Sequence, residues 1–225
     1  MIQKWLNLVL DFFLPKAPAV EKLERMGAAG FAGRAKRSRE LNSLSANRRS
    51  RENLIAFFDY HDPLVRTAIW ELKFRGNRAV AALLAECLFD ELSAELSELE
   101  IFENFTRPLI VPVPLSSKRR RERGFNQCEI LLDELAKLDT NKIFEINKNI
   151  LIKIRDTSSQ TKTDSRASRL KNLRGAFAAN ENGAARHRNI IVIDDVTTTG
   201  TTLSEAMKTL RRAGAKKILG IALAH

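Results

Sequence analysis

Two adjacent carboxylates, Asp194 and Asp195, stand directly after an apolar run and shortly before a loop of threonine and glycine. The stretch reads NIIVIDDVTTTGTTL over residues 189–203. The apolar run predicts a buried strand, so the two carboxylates lie at its carboxyl end. Because carboxylates are costly to bury without partners, they must meet hydroxyl donors, a cation or solvent. The pattern therefore indicates a site that recognises a polar group.

The loop after the carboxylates suits a second, anionic group. Gly200 supplies backbone freedom, and successive backbone N–H groups are offered at the start of a predicted helix. The hydroxyls that can join them belong to Thr198, Thr199, Thr201 and Thr202. A ligand that satisfies both halves carries a phosphate on a sugar with vicinal hydroxyls, and a ribose 5-phosphate meets that requirement.

Other kinds of acidic or glycine-rich site fit less well. The chain has no GxxxxGK[ST] sequence, which excludes a P-loop. The acidic pair of a receiver domain would stand near the start of that domain, whereas only one helix and one strand are predicted after Asp195. A surface acidic pair followed by an ordinary turn remains the simplest alternative. It does not explain why the apolar run, the two acids and the loop follow one another in this order.

Segments with strand and helix patterns alternate along the chain. Strands are predicted at 53–63, 107–114, 149–156, 189–196 and 216–225, and helices at 64–74, 77–96, 128–138 and 203–214. A cationic loop is predicted at 115–127 and a long, polar and basic segment at 157–177. This alternation is typical of an α/β domain with a mostly parallel sheet flanked by helices, here at 53–225. Residues 1–52 are expected to form an N-terminal apolar helix and a basic irregular segment.

The overall charge is basic. The chain has 38 Lys and Arg against 27 Asp and Glu, a formal net charge of +11, which favours nucleic acid or phosphorylated small molecules as partners. The opening stretch MIQKWLNLVLDFFLP is shorter than the about 20 apolar residues that span a bilayer, so no membrane span and a cytoplasmic location are expected. Cys87 and Cys128 lack CxxC partners, which argues against a zinc cluster or a disulfide framework.

The chain resembles the type I phosphoribosyltransferases, and more narrowly the ComF family (competence protein F). The stretches that carry the resemblance are ELKFRGN at 71–77, VPVPLSSKRRRERGFNQ at 111–127, RDTSSQTKTDSRASRLKNLRGAF at 155–177 and the motif at 190–202. The resemblance implies a type I phosphoribosyltransferase fold, with phosphoribosyl pyrophosphate (PRPP) as the ligand. Mg²⁺ would bridge pyrophosphate and ribose oxygens, with no protein side chain as a predicted metal ligand.

The resemblance also implies roles for particular residues. Asp194 and Asp195 would bind the ribose 2- and 3-hydroxyls, and Thr198 to Thr202 would bind the 5-phosphate. Residues 156–174 would form a mobile loop that closes over the substrate. Pyrophosphate or loop contacts are predicted for Pro114, Leu115, Lys118, Arg119, Arg120, Arg123, Arg155 and Arg174. Asp194, Asp195 and Arg123 are the predicted catalytic residues.

One departure from the family concerns zinc. Members of the family usually begin with a zinc-binding segment built on CxxC pairs, whereas LDFFLPKAPAVEKLERMG at 10–27 has no cysteine. No zinc is therefore expected, and residues 15–52 are interpreted as a degenerate remnant of that module.

Three functions remain open. The first is a phosphoribosyltransferase linked to DNA uptake in natural transformation, with an unknown base or amine as acceptor. The second is a competence factor that binds single-stranded DNA and other competence proteins, and the third is a PRPP-sensing regulator without turnover. Single-strand binders interleave aromatic rings with cations, and the basic segments at 118–123 and 166–174 are accompanied only by Phe125 and Phe177.

Overall fold

Parallel strands form the sheet that positions the acidic pair, in a computed structural model that describes residues 18–38, 54–156, 173–180 and 183–225. The described strands are β1 (Leu54–Phe58), β2 (Leu109–Pro112), β3 (Glu145–Ile146), β4 (Leu151–Lys153), β5 (Phe177–Ala179), β6 (Asn189–Val196) and β7 (Lys217–Ala224). The large sheet has the order β1-β7-β6-β2-β3, and every neighbouring pair in it is parallel. β4 and β5 pair antiparallel in a second, two-stranded sheet. The predicted α/β fold with a mostly parallel sheet is confirmed.

Helices connect these strands. The described helices are α1 (Pro18–Glu24), α2 (Ala28–Ala32), α3 (Pro63–Trp70), a π-helix (Glu71–Arg75), α4 (Arg78–Glu103), α5 (Ser117–Arg123), α6 (Gln127–Leu138) and α7 (Thr201–Arg212). Four of them begin where a side chain accepts backbone N–H groups of the first turn, from Asp62, Asn77, Ser116 and Asn126. Within the described ranges, no helix combines the length and the apolar character needed to cross a bilayer.

Both faces of the large sheet are covered, which explains why its strands are nearly continuous apolar runs. Along β6, Ile191 and Ile193 pack into the cluster that contains residues of α3, α4 and α6. Ile190 and Val192 point to the opposite face and pack with residues of α7 and the two-stranded sheet. Burial on both sides holds β6 rigidly in the middle of the molecule, so its carboxyl end is a fixed support for the acidic pair.

The strand order reverses direction between β2 and β6. From β2 the chain moves outward to β3, whereas β6 lies on the other side of β2 and is followed by β7 in the opposite direction. The loops that leave the carboxyl ends of β2 and β6 therefore diverge and leave a crevice between them. Ligands of open parallel sheets bind at such a switch point.

The described N-terminal residues belong to the main hydrophobic core. Leu23 of α1 and Phe31 of α2 are fully buried, and the ring of Phe31 meets that of Phe58 edge to face at a centroid distance of 5.4 Å. Within residues 18–38, part of the segment interpreted as irregular or loosely helical, two short helices therefore pack against the core. The division of the chain at residue 52 stays a prediction, since 39–53 lie outside the described ranges.

The prediction of a loop over 115–127 is wrong, because Ser117–Arg123 form α5. The Ser116 hydroxyl caps this helix by accepting the backbone N–H of Arg119 at 3.4 Å, and Gly124 ends it with a left-handed φ of 78°. Lysine, arginine and glutamate are good helix formers, and their propensity outweighs the repulsion within the run.

Other predicted boundaries differ from the observed ones. The predicted helix at 64–74 is divided into α3 and the π-helix, and α4 continues to Glu103 instead of stopping near 96. The short strands β3 and β5 are not predicted, and β4 covers only part of the strand predicted at 149–156. These elements are two or three residues long, too short to produce a periodic pattern.

Candidate ligand-binding site

The acidic pair lies at the carboxyl end of β6, beside the crevice. Asp194 is 8% exposed and Asp195 4% exposed. Asp194 Oδ1 accepts the backbone N–H of Asp195 at 2.9 Å. Among the described residues, Asp195 Oδ2 has no hydrogen-bond partner, and the Nζ atom of Lys73 is 3.5 Å from it. A buried carboxylate oxygen that has only a long ion pair and no hydrogen bond indicates a site completed by a ligand that supplies a donor.

Burial raises the pKa of Asp194 well above the ordinary carboxyl value of 3.8, and the negative charge of Asp195 raises it further. The ligand-free site therefore holds two carboxylates in an environment that disfavours both charges at once. Hydroxyl groups that donate to both carboxylates would relieve this conflict. The pair is consequently suited to a vicinal diol.

Cations from three different elements converge on the pair. Lys73 comes from the π-helix, Arg123 from α5 and Lys153 from β4. Burial lowers the pKa of Arg123, an effect that attraction to Asp195 opposes. Burial also lowers the pKa of Lys153, which repulsion by Arg119 lowers further and attraction to Asp194 opposes. These mutual effects show that the cations and the carboxylates share one electrostatic environment, which suits a ligand with several negative charges.

The threonine–glycine loop joins β6 to α7 in a fixed conformation. The backbone N–H of Gly200 donates to the Thr197 hydroxyl at 3.0 Å, and the hydroxyls of Thr199 and Thr201 are 2.6 Å apart. Gly200 has a φ of 70°, and a Cβ atom added to it would lie 2.7 Å from Leu54 Cδ1. Glycine is strongly favoured at this position, because the left-handed backbone strains any other residue and a Cβ atom would force the Leu54 side chain to shift.

The predicted phosphate-binding residues occupy this loop and the start of α7. Thr198 is exposed, Thr199 and Thr202 are half-buried, and Thr201 is buried. His225 contacts the same loop, with its Nε2 atom 2.8 Å from the carbonyl oxygen of Thr198. The structure therefore brings the predicted residues together at one helix start, and their role toward a phosphate stays a prediction.

The loop after β2 forms the other wall of the crevice. Pro114 and Leu115 are half-buried there, immediately before α5. The buried Asn126 donates from Nδ2 to the carbonyl oxygen of Val113 at 3.1 Å and accepts the backbone N–H of Cys128 at 3.0 Å. Asn126 thus ties the loop to α6. This structural role explains why asparagine stands in the RERGFNQ stretch.

The basic residues of α5 point in different directions. Arg119 repels both Lys153 and Arg123, and Arg123 is attracted by Asp195, so both arginines lie close enough to influence the site. Arg120 instead forms a two-pronged ion pair with Glu129 of α6, at 2.7 and 3.0 Å. Lys118 is exposed on the first turn of the helix. Of the predicted pyrophosphate contacts on α5, Arg119 and Arg123 therefore interact electrostatically with the charged residues of the site. Arg120 pairs with Glu129 instead.

Arg155 and Arg174 stand at the two borders of the segment predicted to close over the substrate. Arg155 Nη1 donates to the carbonyl oxygen of Arg174 at 3.5 Å. The backbone N–H of Gly175 donates to Glu205 Oε1 of α7 at 2.7 Å, which anchors the returning chain beside the threonine–glycine loop. Residues 157–172, the main part of the predicted mobile loop, lie outside the described ranges.

A thiol completes the buried surroundings of the acidic pair. Cys128 Sγ is 3.8 Å from Asp194 Oδ1, and the ligand atoms of Cys128, Asp194 and Asp195 all lie within 4.8 Å of one another. Burial and the two neighbouring carboxylates raise the pKa of Cys128 well above the ordinary thiol value. A protonated thiol is a poor metal ligand, so the donors that remain for a cation are the carboxylate oxygens.

Both cysteines should be unreactive in the folded protein. Burial raises the pKa of Cys87 to about 12, and that of Cys128 is raised for the same reason, so neither thiol forms a thiolate near pH 8. We expect no rapid reaction with a chromogenic disulfide reagent in native protein and reaction of both thiols in guanidinium chloride. A fast phase from Cys128 in the native protein would contradict the arrangement around Asp194, and Cys87→Ser identifies the thiol that reacts.

Three residues of the site are absent from the sequence-based prediction: Lys73, Cys128 and Lys153. Lys73 stands in the ELKFRGN stretch, where a lysine next to an aromatic residue could have indicated a ligand-binding position. Lys153 lies between Ile152 and Ile154, and the strand period would place the two isoleucines, not the lysine, on the inward face. The structure exposes both isoleucines, so no pattern in the sequence marks Lys153 as part of the site. Nothing in the sequence marks Cys128 as a neighbour of Asp194.

Comparison with known proteins decides the family. Residues 122–225 match the phosphoribosyl transferase domain family. The chain is 35% identical over 173 residues to competence protein F of Haemophilus influenzae, a match that covers 75% of this chain and 71% of that protein. The chain belongs to the ComF family.

Further ComF relatives agree. The DNA utilization protein YhgH of Salmonella typhimurium is 31% identical over 169 residues, covering 74% of this chain and 69% of the relative. Competence protein ComFC of Bacillus subtilis is 28% identical over 171 residues, covering 74% and 63%. The domain match and the parallel sheet together give this ComF chain the type I phosphoribosyltransferase fold.

Solved structures resemble it more distantly. The allosteric regulatory enzyme of purine biosynthesis is 19% identical with a TM-score of 0.38, and the match covers 69% of the ComF chain and 30% of the enzyme. A hypoxanthine phosphoribosyltransferase from Staphylococcus aureus is 16% identical with a TM-score of 0.35, covering 63% and 62%.

Proposed function

We propose that this ComF-family protein binds PRPP and transfers its phosphoribosyl group to a base or amine. The observation that carries the proposal is the buried acidic pair, in which an oxygen of Asp195 has no hydrogen-bond partner among the described residues and only Lys73 near it at 3.5 Å, immediately before a loop in which Gly200 has a left-handed backbone. The two features stand at the switch point of a parallel sheet. A ribose 5-phosphate ester satisfies both of them with one molecule.

In the proposed complex, the ribose 2- and 3-hydroxyls donate to Asp194 and Asp195. The 5-phosphate accepts hydrogen bonds from the backbone of Thr199 to Thr202 and from the threonine hydroxyls. Charge-assisted hydrogen bonds of this kind contribute about 1.5–3 kcal/mol each. The sugar would thereby be fixed at both ends, with its anomeric carbon directed toward the crevice between the β2 and β6 loops.

The cations around the crevice would hold the pyrophosphate. In the transfer, the bond from the anomeric carbon to pyrophosphate breaks, pyrophosphate leaves with the electron pair, and the nitrogen of the acceptor forms the new bond and loses its proton. Positive charge from Arg119, Arg123 and Lys153 stabilises the negative charge that develops on the departing group. Such a reaction needs electrostatic stabilisation and exclusion of water more than it needs a nucleophilic side chain.

Mg²⁺ fits this arrangement. The carboxylate oxygens of Asp194 and Asp195 are the hard donors that Mg²⁺ prefers, and an oxygen of Asp195 makes no hydrogen bond among the described residues, with only Lys73 near it at 3.5 Å. The ion would be held near these two residues together with the ligand's own oxygens, and when bound it would neutralise pyrophosphate charge. No zinc is proposed, because the chain contains only two cysteines, both buried and apart from each other.

A role in handling incoming DNA is proposed from the names of the relatives, which are called competence and DNA utilization proteins. In this role the protein would work in the cytoplasm with single-stranded DNA and other competence proteins as partners. The excess of basic residues over acidic ones supports a polyanionic partner.

Calorimetric titration with PRPP in the presence of Mg²⁺ tests the binding proposal. We expect saturable binding with a dissociation constant in the micromolar range, weakened when the ribose 5-phosphate or the pyrophosphate part is offered alone, because each part engages only half of the site. Absence of PRPP binding to the folded protein would contradict the proposal.

Phosphorus NMR separates transfer from sensing. With PRPP, Mg²⁺ and ammonium or a nucleobase as acceptor probes, a transferase releases pyrophosphate faster than the uncatalysed rate. A PRPP-sensing regulator binds the ligand but leaves its phosphorus spectrum unchanged, and this outcome would replace the transfer proposal with the sensing one.

A further inference from the structure

A second pocket lies at the end of the large sheet that is opposite to the acidic pair. Its volume is about 300 Å³, and the residues that line it stand at or just before the amino ends of β2, β3, β6 and β7. Asn189 begins β6 and Asp194 lies near its other end, so at about 3.3 Å per residue the two sites are about 16 Å apart along the strand. The pocket is therefore separate from the crevice between the β2 and β6 loops.

Cations dominate the lining of this pocket. Arg107, Arg188 and Lys216 carry three positive charges against the one negative charge of Glu145, a net charge of +2 with histidine neutral. Glu145 Oε1 is 3.6 Å from Nη2 of Arg107, and its Oε2 is 3.0 Å from Nη2 of Arg188. A guanidinium group has five N–H donors, so each arginine keeps donors for a further partner. Glu145 thus holds two guanidinium groups close together, an arrangement suited to the oxygens of a phosphate.

A buried amide in the lining sets a second requirement. Asn189 is 7% exposed, and its Nδ2 atom donates to the carbonyl oxygens of Thr106 at 3.2 Å and Asn104 at 3.5 Å. Among the described residues, its Oδ1 atom has no hydrogen-bond partner. A buried acceptor without a donor needs an explanation, and a donor on a ligand in the pocket supplies one. The ligand should therefore carry a hydroxyl or N–H group beside its negative charge.

Two residues of the lining have side chains where the backbone favours glycine. Arg107 has a φ of 39° and His187 a φ of 60°. Glycine would adopt these left-handed conformations without strain. Strained positions persist where the surrounding structure holds them, and they cluster at ligand-binding and active sites. A turn without a further role would not need arginine at position 107.

We propose that this pocket binds a small phosphate ester that also carries a hydrogen-bond donor. The phosphate accepts hydrogen bonds from Arg107, Arg188 and Lys216, and the donor of the ligand reaches Asn189 Oδ1. A volume of about 300 Å³ is at the lower end of the range for ligand pockets, which limits the ligand to a small molecule. The proposal uses no residue of the acidic pair or of the threonine–glycine loop, so it stands or falls independently of PRPP binding.

Histidine ring protons observed by NMR show which site a ligand occupies. Of the three histidines, His187 lines the pocket, His225 contacts the carbonyl oxygen of Thr198, and His61 is exposed beside Asp59. Glycerol 2-phosphate is the probe, because its two hydroxyls are not vicinal and do not form the diol that suits the acidic pair. We expect a saturable shift of the His187 ring signals. Isopropyl phosphate has the same skeleton without the hydroxyls and should bind roughly 2- to 10-fold more weakly.

Substitution of the arginines locates the phosphate. Arg188→Gln should weaken binding of glycerol 2-phosphate roughly 10- to 150-fold, since a charge-assisted hydrogen bond is lost, and Arg107→Gln should act in the same direction. Wild-type signals of His61 and His225 show that a variant is folded. If Arg188→Gln lost them, Arg107→Gln would decide, because the Arg107 side chain is 69% exposed. Arg212→Gln is the matched control, an exposed arginine in the last turn of α7 and outside the lining of the pocket, and it should bind the ester as the wild type does.

Three kinds of result would overturn the proposal. His187 signals that do not move, or a shift of His225 alone, would leave the pocket without a phosphate ligand. A shift of His187 that chloride reproduces at equal ionic strength, or that the arginine substitutions leave unchanged, would show general screening of charge instead of binding. Equal affinity for glycerol 2-phosphate and isopropyl phosphate would remove the donor to Asn189 on which the choice of ligand rests.

Discussion

Asp195→Asn should weaken PRPP binding by roughly 30- to 150-fold, the equivalent of about 2–3 kcal/mol for one charge-assisted hydrogen bond lost from a ribose hydroxyl. Asp194→Asn should weaken it to a similar extent, and the double variant should show no binding at ligand concentrations that saturate the wild type. Calorimetry with PRPP and Mg²⁺ measures all three. The variants should remain cooperatively folded, because the amide has the shape of the carboxylate and its oxygen at position 194 can still accept the backbone N–H of the next residue.

The same substitutions should stabilise the ligand-free protein. The folded protein holds a proton on Asp194 more tightly than the unfolded chain does, since burial and Asp195 raise the pKa of Asp194. The free energy of unfolding of the wild type should therefore decrease as the pH rises from about 4 through neutrality, with this contribution of Asp194 lost as its carboxyl ionises in the folded state. Asp194→Asn should remove that slope and raise the free energy of unfolding near pH 7 by roughly 1–3 kcal/mol.

Asp133→Asn is the control for both effects, because Asp133 has a 44% exposed side chain that pairs with Lys148 rather than with a residue of the crevice. It should leave the affinity for PRPP unchanged and alter the free energy of unfolding by no more than about 0.5 kcal/mol. Urea denaturation at a series of pH values supplies the comparison. If Asp194→Asn destabilised the protein, or if it bound PRPP with the affinity of the wild type, the buried pair would not be a diol-binding site.

Gly200→Ala adds only one methyl group to the threonine–glycine loop, and we expect it to be the most destabilising change of that size in the loop. The added Cβ would lie 2.7 Å from Leu54 Cδ1, and the backbone has a φ of 70°. The left-handed conformation costs an alanine about 1–2 kcal/mol and overpacking costs about 1–3 kcal/mol. We expect a loss of roughly 2–5 kcal/mol in the free energy of unfolding, together with weaker PRPP binding, because either the Leu54 side chain or the loop must move.

Gly183→Ala separates the two causes of that loss. Gly183 has the same φ of 70° but nothing within 4 Å of an added Cβ, so this variant should lose only the conformational part, about 1–2 kcal/mol. Adding Leu54→Val to Gly200→Ala removes the clashing atom and should restore part of the stability, which a double-mutant cycle detects as coupling. Equal destabilisation by the two glycine substitutions, without coupling to Leu54, would show that the loop is not packed against β1.

The centre of the fold and of the site was predictable because its signals are local. The apolar run, the acidic pair and the threonine–glycine loop occupy fifteen consecutive residues, and the structure places them as a strand end, a buried pair and a helix start. The mostly parallel sheet follows from strands that are apolar at every position, since burial on both faces requires helices on both sides. Of the residues that the family resemblance assigns to PRPP, the acidic pair, the threonine–glycine loop and Arg123 lie close together, whereas Arg120 pairs with Glu129. Their individual roles remain predictions.

What escaped prediction depends on contacts between distant parts of the chain. Lys73 meets Asp195 because the π-helix follows β1 and α3 in the chain, whereas Asp195 comes from β6, which lies beyond β7 in the same sheet. Trp70 and Phe74 are both exposed, yet their spacing is that of any helical pair and could not be distinguished from packing against the core. The arginine run of α5 resembles a loop in the sequence because its dense charge hides the helix propensity and the caps at Ser116 and Gly124.

Discrimination between ribose 5-phosphate and 2-deoxyribose 5-phosphate tests the central claim most directly, because the two ligands differ by a single hydroxyl. The claim is that Asp194 and Asp195 recognise a vicinal diol next to the phosphate-binding loop. Calorimetric titration of the wild-type protein should show that the deoxy sugar binds at least roughly tenfold more weakly, and that Asp195→Asn reduces this difference. Equal affinity for the two sugars would contradict the account, since the acidic pair would then have no part in binding the sugar.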